Sequence, residues 1–124
     1  MLGLGRIGQH IAKSISANGF QANAWNRTAK SIEGVNCFTG QLGLAQALSG
    51  TDVLVNCLPL NQDTVGMLNE ALLSQLPRGA HVINVSRGAV IDDADLLKLL
   101  GTGHIAGAAL DTFAVEPLAA DSPY

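Results

Sequence analysis

Three short segments of this chain carry residue types whose spacing could do chemistry. Gly3-Leu4-Gly5-Arg6-Ile7-Gly8 sets three glycines in a turn that runs into a helix-period segment. Gly3 permits a tight reversal, Gly5 lets a ligand approach the backbone, and Gly8 lets helix and strand pack closely. The unpaired N–H groups and positive dipole of the helix start then suit a pyrophosphate. Glycine spacing alone marks only a turn; the strand and helix around it make it a nucleotide site. The second segment, Trp25-Asn26-Arg27-Thr28, lies about 20 residues on, where a chain that reads ribose hydroxyls carries Asp or Glu. No acidic residue occurs from Met1 to Ile32. Asn26 is neutral, Arg27 and Thr28 both donate to a phosphate, and Lys30 is nearby, so the residues point to a 2′-phosphate and hence to NADP rather than NAD. A solvated surface Arg is the plainer alternative. The third segment is split. Asn84-Val85-Ser86-Arg87-Gly88-Ala89-Val90-Ile91-Asp92 leaves a strand with an Arg that can fork a carboxylate and polarise an adjacent carbonyl, and Gly107 to Leu118 brings the carboxylates Asp111 and Glu116 to the same edge. Taken singly, Arg87 reads equally as a strand-end ion pair and Asp111 as a cap.

Positioning these segments requires a sheet with its carboxyl edge at one crevice. Met1–Leu4, Gln21–Trp25, Val35–Phe38, Asp52–Cys57, Ala80–Val85 and Ala106–Leu110 read as strands. Arg6–Ala17, Leu42–Leu48, Asn69–Leu76 and Asp92–Leu100 read as helices; Ile7, Ile11 and Ile15 fall four apart on one face of the first, and Asn18-Gly19 stops it. Asp92 is the N-cap of the last helix, and Pro77 and Gly101 are stops. Strands alternating with helices predict an α/β fold, a Rossmann-type doubly wound parallel sheet of order 3-2-1-4-5-6. The runs Asp52–Cys57 and Ala80–Val85 are continuously apolar, which predicts helices over both faces. Only Met1 and Leu2 precede the first glycine, so the central first strand is expected to be truncated and the sheet weakened there.

The 124 residues suffice for one domain, 1–124. Apolar residues make up 48%, charged residues 14% and aromatics 4%, a packed-core composition far from disorder. The net charge is −3 and the seven Lys and Arg are scattered, which excludes the basic stripe of a nucleic-acid binder. No apolar run reaches the ~18 residues of a membrane span, and no cleavable leader is visible. Cys37 and Cys57 lack metal-ligand spacing; Cys57 reads as a small buried hydrophobe, no metal is expected, and a reducing cytoplasm is the expected setting.

The Arg-Gly segment at 87–88, the Ala-Leu-Asp segment at 109–111 and the glycine turn together resemble the D-isomer-specific 2-hydroxyacid dehydrogenases, over essentially the whole chain. Asp63 to Asn69, Glu116-Pro117-Leu118 and Ser122-Pro123 look closest to the glyoxylate/hydroxypyruvate reductase branch. The resemblance implies the cofactor domain, a fragment of a larger two-domain enzyme that reduces a small 2-oxoacid with NADPH. It implies that Gly3, Gly5 and Gly8 form the loop, that Arg6 and Ile7 lend N–H groups to the pyrophosphate, and that Arg27 and Thr28, beside Asn26, meet the 2′-phosphate. Leu58 and Pro59 would line the adenosine side with Thr64 near; Val85 and Ser86 would sit by the nicotinamide, whose carboxamide Asp111 would hold. Arg87 would grip the 2-oxoacid, and Glu116 would hydrogen-bond a catalytic His and raise its pKa. In the family that His follows a seventh strand, which is missing here, and the flanking substrate domain is missing too. The chain alone is therefore expected to be inactive and marginally stable, and the intact protein to be a homodimer. His10, His81 and His104 are poor substitutes for the missing His. Two other readings stand: a non-catalytic NAD(P)-sensing module of the corepressor type, and a 3-hydroxyacid dehydrogenase, against which Arg87-Gly88 and Leu110-Asp111 argue.

Overall fold

A computed structural model describes all of residues 1–124. Its elements run α1 (Arg6–Ala17), β1 (Ala22–Trp25), β2 (Val35–Phe38), α2 (Gly40–Leu48), β3 (Val53–Asn56), α3 (Glu70–Leu73), β4 (Ala80–Asn84), α4 (Asp93–Gly101) and β5 (Ile105–Leu110). All strand pairs are parallel, β1 with β2 and β3 with β4 with β5. This is the Rossmann-like α/β fold the alternation predicts.

The expected first strand, Met1–Leu4, is not a strand. The two ladders meet at one residue, Leu2, which bridges Trp25 on one side and Asn56 on the other. Gly3 turns the chain at φ 91° immediately afterwards, so extended backbone has no room to continue. The stub is nevertheless paired. Leu2 N–H donates to the Val55 carbonyl and the Leu2 carbonyl accepts from Cys57 N–H (both 2.8 Å), while Trp25 N–H donates to the Met1 carbonyl and Gly3 N–H to the Trp25 carbonyl (both 2.9 Å). The backbone of the stub itself is hydrogen-bonded, because two residues flanked by strands on both sides engage both edges at once.

Helices sit on both faces, unequally. A cluster of 15 buried residues, including Leu48, Leu54, Leu73, Val82, Leu96 and Ile105, packs α2, α3 and α4 against one face. The other face carries only α1 and a cluster of five: Met1, Leu4, Ala12, Ala24 and Ile32. The expectation of full cover over β3 and β4 is therefore corrected. β3 alternates between buried Leu54 and Asn56 and more open Val53 and Val55, and β4 between buried Val82 and open His81. Since α1 covers β1, the uncovered stretch leaves a cleft of about 510 Å³ between Met1, Phe20, Val53, Val55 and Ile83.

Local signals account for most element ends. Asn18 caps α1 and Gly19 follows at φ 84°; Asp92 caps α4, its carboxylate accepting from Asp95 N–H at 3.1 Å. Asn69 caps α3 through Leu72 N–H at 3.0 Å, but that helix is shorter than Asn69–Leu76. The isoleucine face of α1 is only half-buried, with Ile11 packed against the smaller cluster. Gly8 and Ala12 are the buried positions of the helix and Ile7 is 71% exposed. A Cβ at Gly8 would lie 2.0 Å from the Gly3 carbonyl oxygen; that close approach turns the 8–12 face to the sheet and leaves Ile7 outside. Cys37 and Cys57 are free thiols, half-buried, and no metal-binding cluster of His, Cys, Asp and Glu occurs. No helix is long and apolar enough to cross a membrane.

When residues 1–124 stand alone, the Met1 ammonium is buried under the sheet and donates to the Asn23 carbonyl. Burial pushes its pKa down from 8.0 to about 6, slightly offset by Cys57. Between those values the unfolded chain holds a proton that the folded chain has lost, so stability rises with pH from 6 to 8 and the penalty is largest below 6. The full shift is worth roughly 2–3 kcal/mol. Adding about four apolar residues before Met1 moves the charge off the sheet. The Tm difference between extended and unextended chains is expected to be large at pH 6 and to shrink by pH 8. Thermal melts across that range check it, and histidine titration cancels in the difference.

Candidate functional site

The carboxyl ends of the strands and the first turn of α1 open onto one crevice. Its floor is the glycine turn. A Cβ at Gly3 would meet the Cys57 carbonyl oxygen at 2.8 Å, whereas a Cβ at Gly5 would meet nothing within 4 Å. Gly3 and Gly8 are thus spent on packing, and Gly5 faces open space. The first intrahelical bond is Gln9 N–H to the Gly5 carbonyl, at 2.9 Å. The N–H groups of Arg6, Ile7 and Gly8 find no acceptor within the chain, and no acidic side chain stands in the first turn. Three free donors at the positive end of a twelve-residue helix make an anion cradle with room in front of it.

On one side stands the loop after β1. Asn26 is its organiser: Oδ1 accepts from Leu4 N–H at 2.9 Å, and Nδ2 donates to the Thr28 carbonyl at 2.9 Å and hydroxyl at 3.1 Å. Its side chain is spent within the loop, so it acts by holding the glycine turn and Thr28 in place. Arg27 points outward, with its carbonyl fixed by the Thr39 hydroxyl at 2.9 Å and Nη1 3.1 Å from Asp63 Oδ2. Both side chains of that pair are exposed, at 77% and 73%.

On the other side stand the loops after β3 and β4, fixed from below by Asn56 and Asn84. Both asparagines are fully buried, and Asn56 Nδ2 donates to Asn84 Oδ1 at 2.9 Å. Their oxygens also accept N–H groups two residues on, from Leu58 and from Ser86, each at 3.2 Å. Asn84 Nδ2 donates to the Arg87 carbonyl at 3.2 Å, and the Ser86 hydroxyl donates to the Leu58 carbonyl. Neither asparagine stood out in the sequence as a site residue. The signal was present in the strand ends Val-Leu-Val-Asn and His-Val-Ile-Asn, where two apolar runs close on the same amide.

Thr64 is buried and ties its own loop, its hydroxyl donating to the Pro59 carbonyl at 2.5 Å and accepting from Asn61 N–H at 2.9 Å. It shapes the loop on which Leu58 and Pro59 lie. Val85 is 42% exposed beside the crevice and Ser86 is buried.

Arg87 is exposed and donates to the Ser86 carbonyl at 2.9 Å. A Cβ at Gly88 would lie 1.9 Å from the Phe113 carbonyl carbon and 2.3 Å from Ala114 N. The Arg87 loop and the Asp111–Glu116 loop therefore touch backbone to backbone, which only glycine allows. Asp111 N–H donates to the Asn84 carbonyl at 3.1 Å, and its exposed carboxylate has no partner in the chain. Glu116 Oε1 accepts from Phe113 N–H at 3.0 Å, clipping its own turn and leaving Oε2 free. The Thr112 hydroxyl beside Asp111 is buried with no hydrogen-bond partner. No histidine joins them: His81 pairs with Val53 near the amino end of β4, His104 precedes β5, and His10 lies exposed on α1.

Comparison with known proteins agrees with this geometry. The family model described as the NAD binding domain of D-isomer specific 2-hydroxyacid dehydrogenase matches residues 1–124. Glyoxylate/hydroxypyruvate reductase A of Salmonella heidelberg is 44% identical over 123 residues, which is 99% of this chain and 39% of the relative. The D-isomer specific 2-hydroxyacid dehydrogenase of Xanthobacter autotrophicus Py2, solved with NADPH and MES, superposes with a TM-score of 0.96 at 48% identity over 98% of this chain and 50% of that one. The NADPH-dependent glyoxylate/hydroxypyruvate reductase of Sinorhizobium meliloti, solved with NADP and sulfate, gives 0.95 at 39% identity over 99% of this chain and 40% of that one. The chain thus spans about two-fifths of the length of the curated relative. With the match running from the first residue to the last, the chain belongs to the D-isomer specific 2-hydroxyacid dehydrogenase family and forms its NAD-binding domain.

Proposed function

We propose that this chain is the cofactor-binding part of an NADPH-dependent reductase that converts a small 2-oxoacid, of the glyoxylate or hydroxypyruvate type, to the 2-hydroxyacid. The carrying observation is the first turn of α1: three N–H groups without acceptors, facing open space at Gly5, with the Arg27 guanidinium at the crevice mouth. That cradle fits a dinucleotide. Relatives at 48% and 39% identity were solved with NADPH and with NADP, which supports the same choice here.

In this reading Arg6, Ile7 and Gly8 hold the pyrophosphate by backbone N–H groups, and Arg27 and Thr28 hold the 2′-phosphate by charge-assisted hydrogen bonds. Leu58 and Pro59 line the adenosine half on a loop fixed by Asn56 and Thr64. Val85, Ser86 and the free carboxylate of Asp111 face the nicotinamide half, with the unpaired Thr112 hydroxyl beside them. The bound nicotinamide supplies a hydride to the substrate's C2 carbonyl. Arg87 forks the substrate carboxylate and stabilises the charge that develops on the C2 oxygen. The free Oε2 of Glu116 is placed to accept from an imidazole and so to hold it protonated for transfer to that oxygen. Detection of 2-oxoacid-dependent NADPH oxidation by the full-length protein tests the activity; tight NADPH binding without turnover of any 2-oxoacid would favour a sensing module.

Two substitutions test the assignments in the full-length protein. Removing the charged hydrogen bond to a 2′-phosphate costs about 1.5–3 kcal/mol, or roughly ten- to more than hundredfold in affinity. Arg27→Ala is therefore expected to weaken NADPH by that factor and leave NADH nearly unchanged in a calorimetric titration, and equal losses would remove Arg27 from the phosphate site. Gly88→Ala forces its Cβ into the Phe113–Ala114 backbone, which no side-chain rotation relieves. With Arg87 and Glu116 displaced by about an ångström, kcat/KM for glyoxylate is expected to fall by about a hundredfold, while NADPH affinity falls far less. Initial-rate kinetics beside the same titration decide it; an unchanged kcat/KM would show that the register of the two loops is immaterial to turnover.

A further inference from the structure

The Arg27–Asp63 ion pair joins the two walls of the crevice, and neither end is loose. Arg27 sits on a loop whose backbone is tied by Thr39 and whose neighbour Asn26 is locked to Leu4 and Thr28. Asp63 sits on the loop knotted by Thr64, with its own N–H donating to Asn61 Oδ1 at 2.9 Å. The loops thus hold a carboxylate 3.1 Å from the guanidinium assigned to the 2′-phosphate. Asp63 is the one acidic residue in the loop after β3, and the opposite wall supplies Arg27 with Lys30 near.

We propose that Asp63 is a specificity-determining residue that occupies the Arg27 guanidinium in the absence of a 2′-phosphate and competes with that phosphate for it. The proposal rests on the reading of Arg27 given above. A 2′-phosphate carries close to two negative charges near neutral pH and displaces a single carboxylate from the fork, but the exchange costs the ion pair and leaves Asp63 beside an anion. NADH presents a neutral ribose hydroxyl and leaves the pair intact. Asp63 therefore lowers the preference for NADPH over NADH that Arg27 alone would give. Because both groups are exposed, the effect is modest and falls with salt.

The experiment is calorimetric titration of the full chain and its Asp63→Asn, Asp63→Glu, Arg27→Ala and double variants with NADPH and with NADH, at low and high salt. Asp63→Asn is expected to tighten NADPH by about two- to fivefold, leave NADH unchanged and lose the gain at high salt. Asp63→Glu keeps the charge and is expected to match the parent. In the Arg27→Ala background Asp63→Asn is expected to give no gain, since the contested group is gone. Unchanged or weakened NADPH binding in Asp63→Asn overturns the proposal, as does an equal gain for both nucleotides or a full gain without Arg27. An unchanged NADH affinity shows that the variant is folded. If Arg27→Ala instead weakens both nucleotides alike, the phosphate reading of Arg27 fails first, and that outcome is distinct from all of these.

Discussion

The constraint on which the rest depends is the contact between the start of α1 and the turn at Gly3. A single methyl on Gly8 would sit 2.0 Å from the Gly3 carbonyl oxygen, and one on Gly3 would sit 2.8 Å from that of Cys57. Helix, turn and the end of β3 are therefore stacked backbone on backbone, with no side chain between them. That closeness aims the free N–H groups of Arg6, Ile7 and Gly8 into the crevice. It also fixes the rotation of α1, so that Ala12 is buried and Ile7 stands outside. Gly5, which touches nothing, is the position left for a ligand.

A second contact of the same kind operates at the far end of the crevice, where Gly88 lies under Phe113 and Ala114. Between the two, the buried Asn56–Asn84 pair acts as a crossbeam. Each amide oxygen takes the N–H group two residues beyond its own strand, so both loops leave the sheet along fixed directions. A buried amide pair is costly unless its hydrogen bonds are made. Here Asn56 Nδ2, both amide oxygens and Asn84 Nδ2 all have partners, which turns a polar intrusion in an apolar core into a positioning device. The side chains of Arg27, Arg87, Asp111 and Glu116 are exposed, and the Arg87 and Asp111 backbones hang from the buried Asn84. Buried support of this kind fixes the loop backbones while leaving the exposed side chains free to exchange partners.

The sheet itself depends on very little at its middle. Leu2 alone bridges the two ladders, and the four hydrogen bonds of Met1, Leu2 and Gly3 knit β1 to β3. The faces are unequal as well. Three helices close one side, whereas on the other α1 leaves Val53, Val55 and Ile83 lining an open cleft.

By itself the sequence determined what local physics controls. The order of strands and helices followed from apolar periodicity, the start of α4 from the side-chain oxygen of Asp92, and the end of α1 from Asn18 with Gly19 in the left-handed region. The glycine turn, Arg27, Arg87, Asp111 and Glu116 were legible because each is a residue type that chemistry needs at a strand end. Tertiary structure decided what depends on distance between segments remote in sequence. Periodicity put Ile7, Ile11 and Ile15 on one face, but the Gly3–Gly8 approach buries Gly8 and Ala12, half-buries Ile11 and Ile15 and leaves Ile7 outside. Continuous apolar runs suggested cover on both faces, yet a strand cannot record which helices reach it. Asn26 looked like a ligand group and is a loop tie, because Leu4 N–H lies within its reach. The pairing of Arg27 with Asp63 and of Asn56 with Asn84 spans 36 and 28 residues. Such contacts exist only once the sheet has brought its strand ends together, because a hydrogen bond or ion pair is a property of two groups at a distance and the sequence specifies each group without the other.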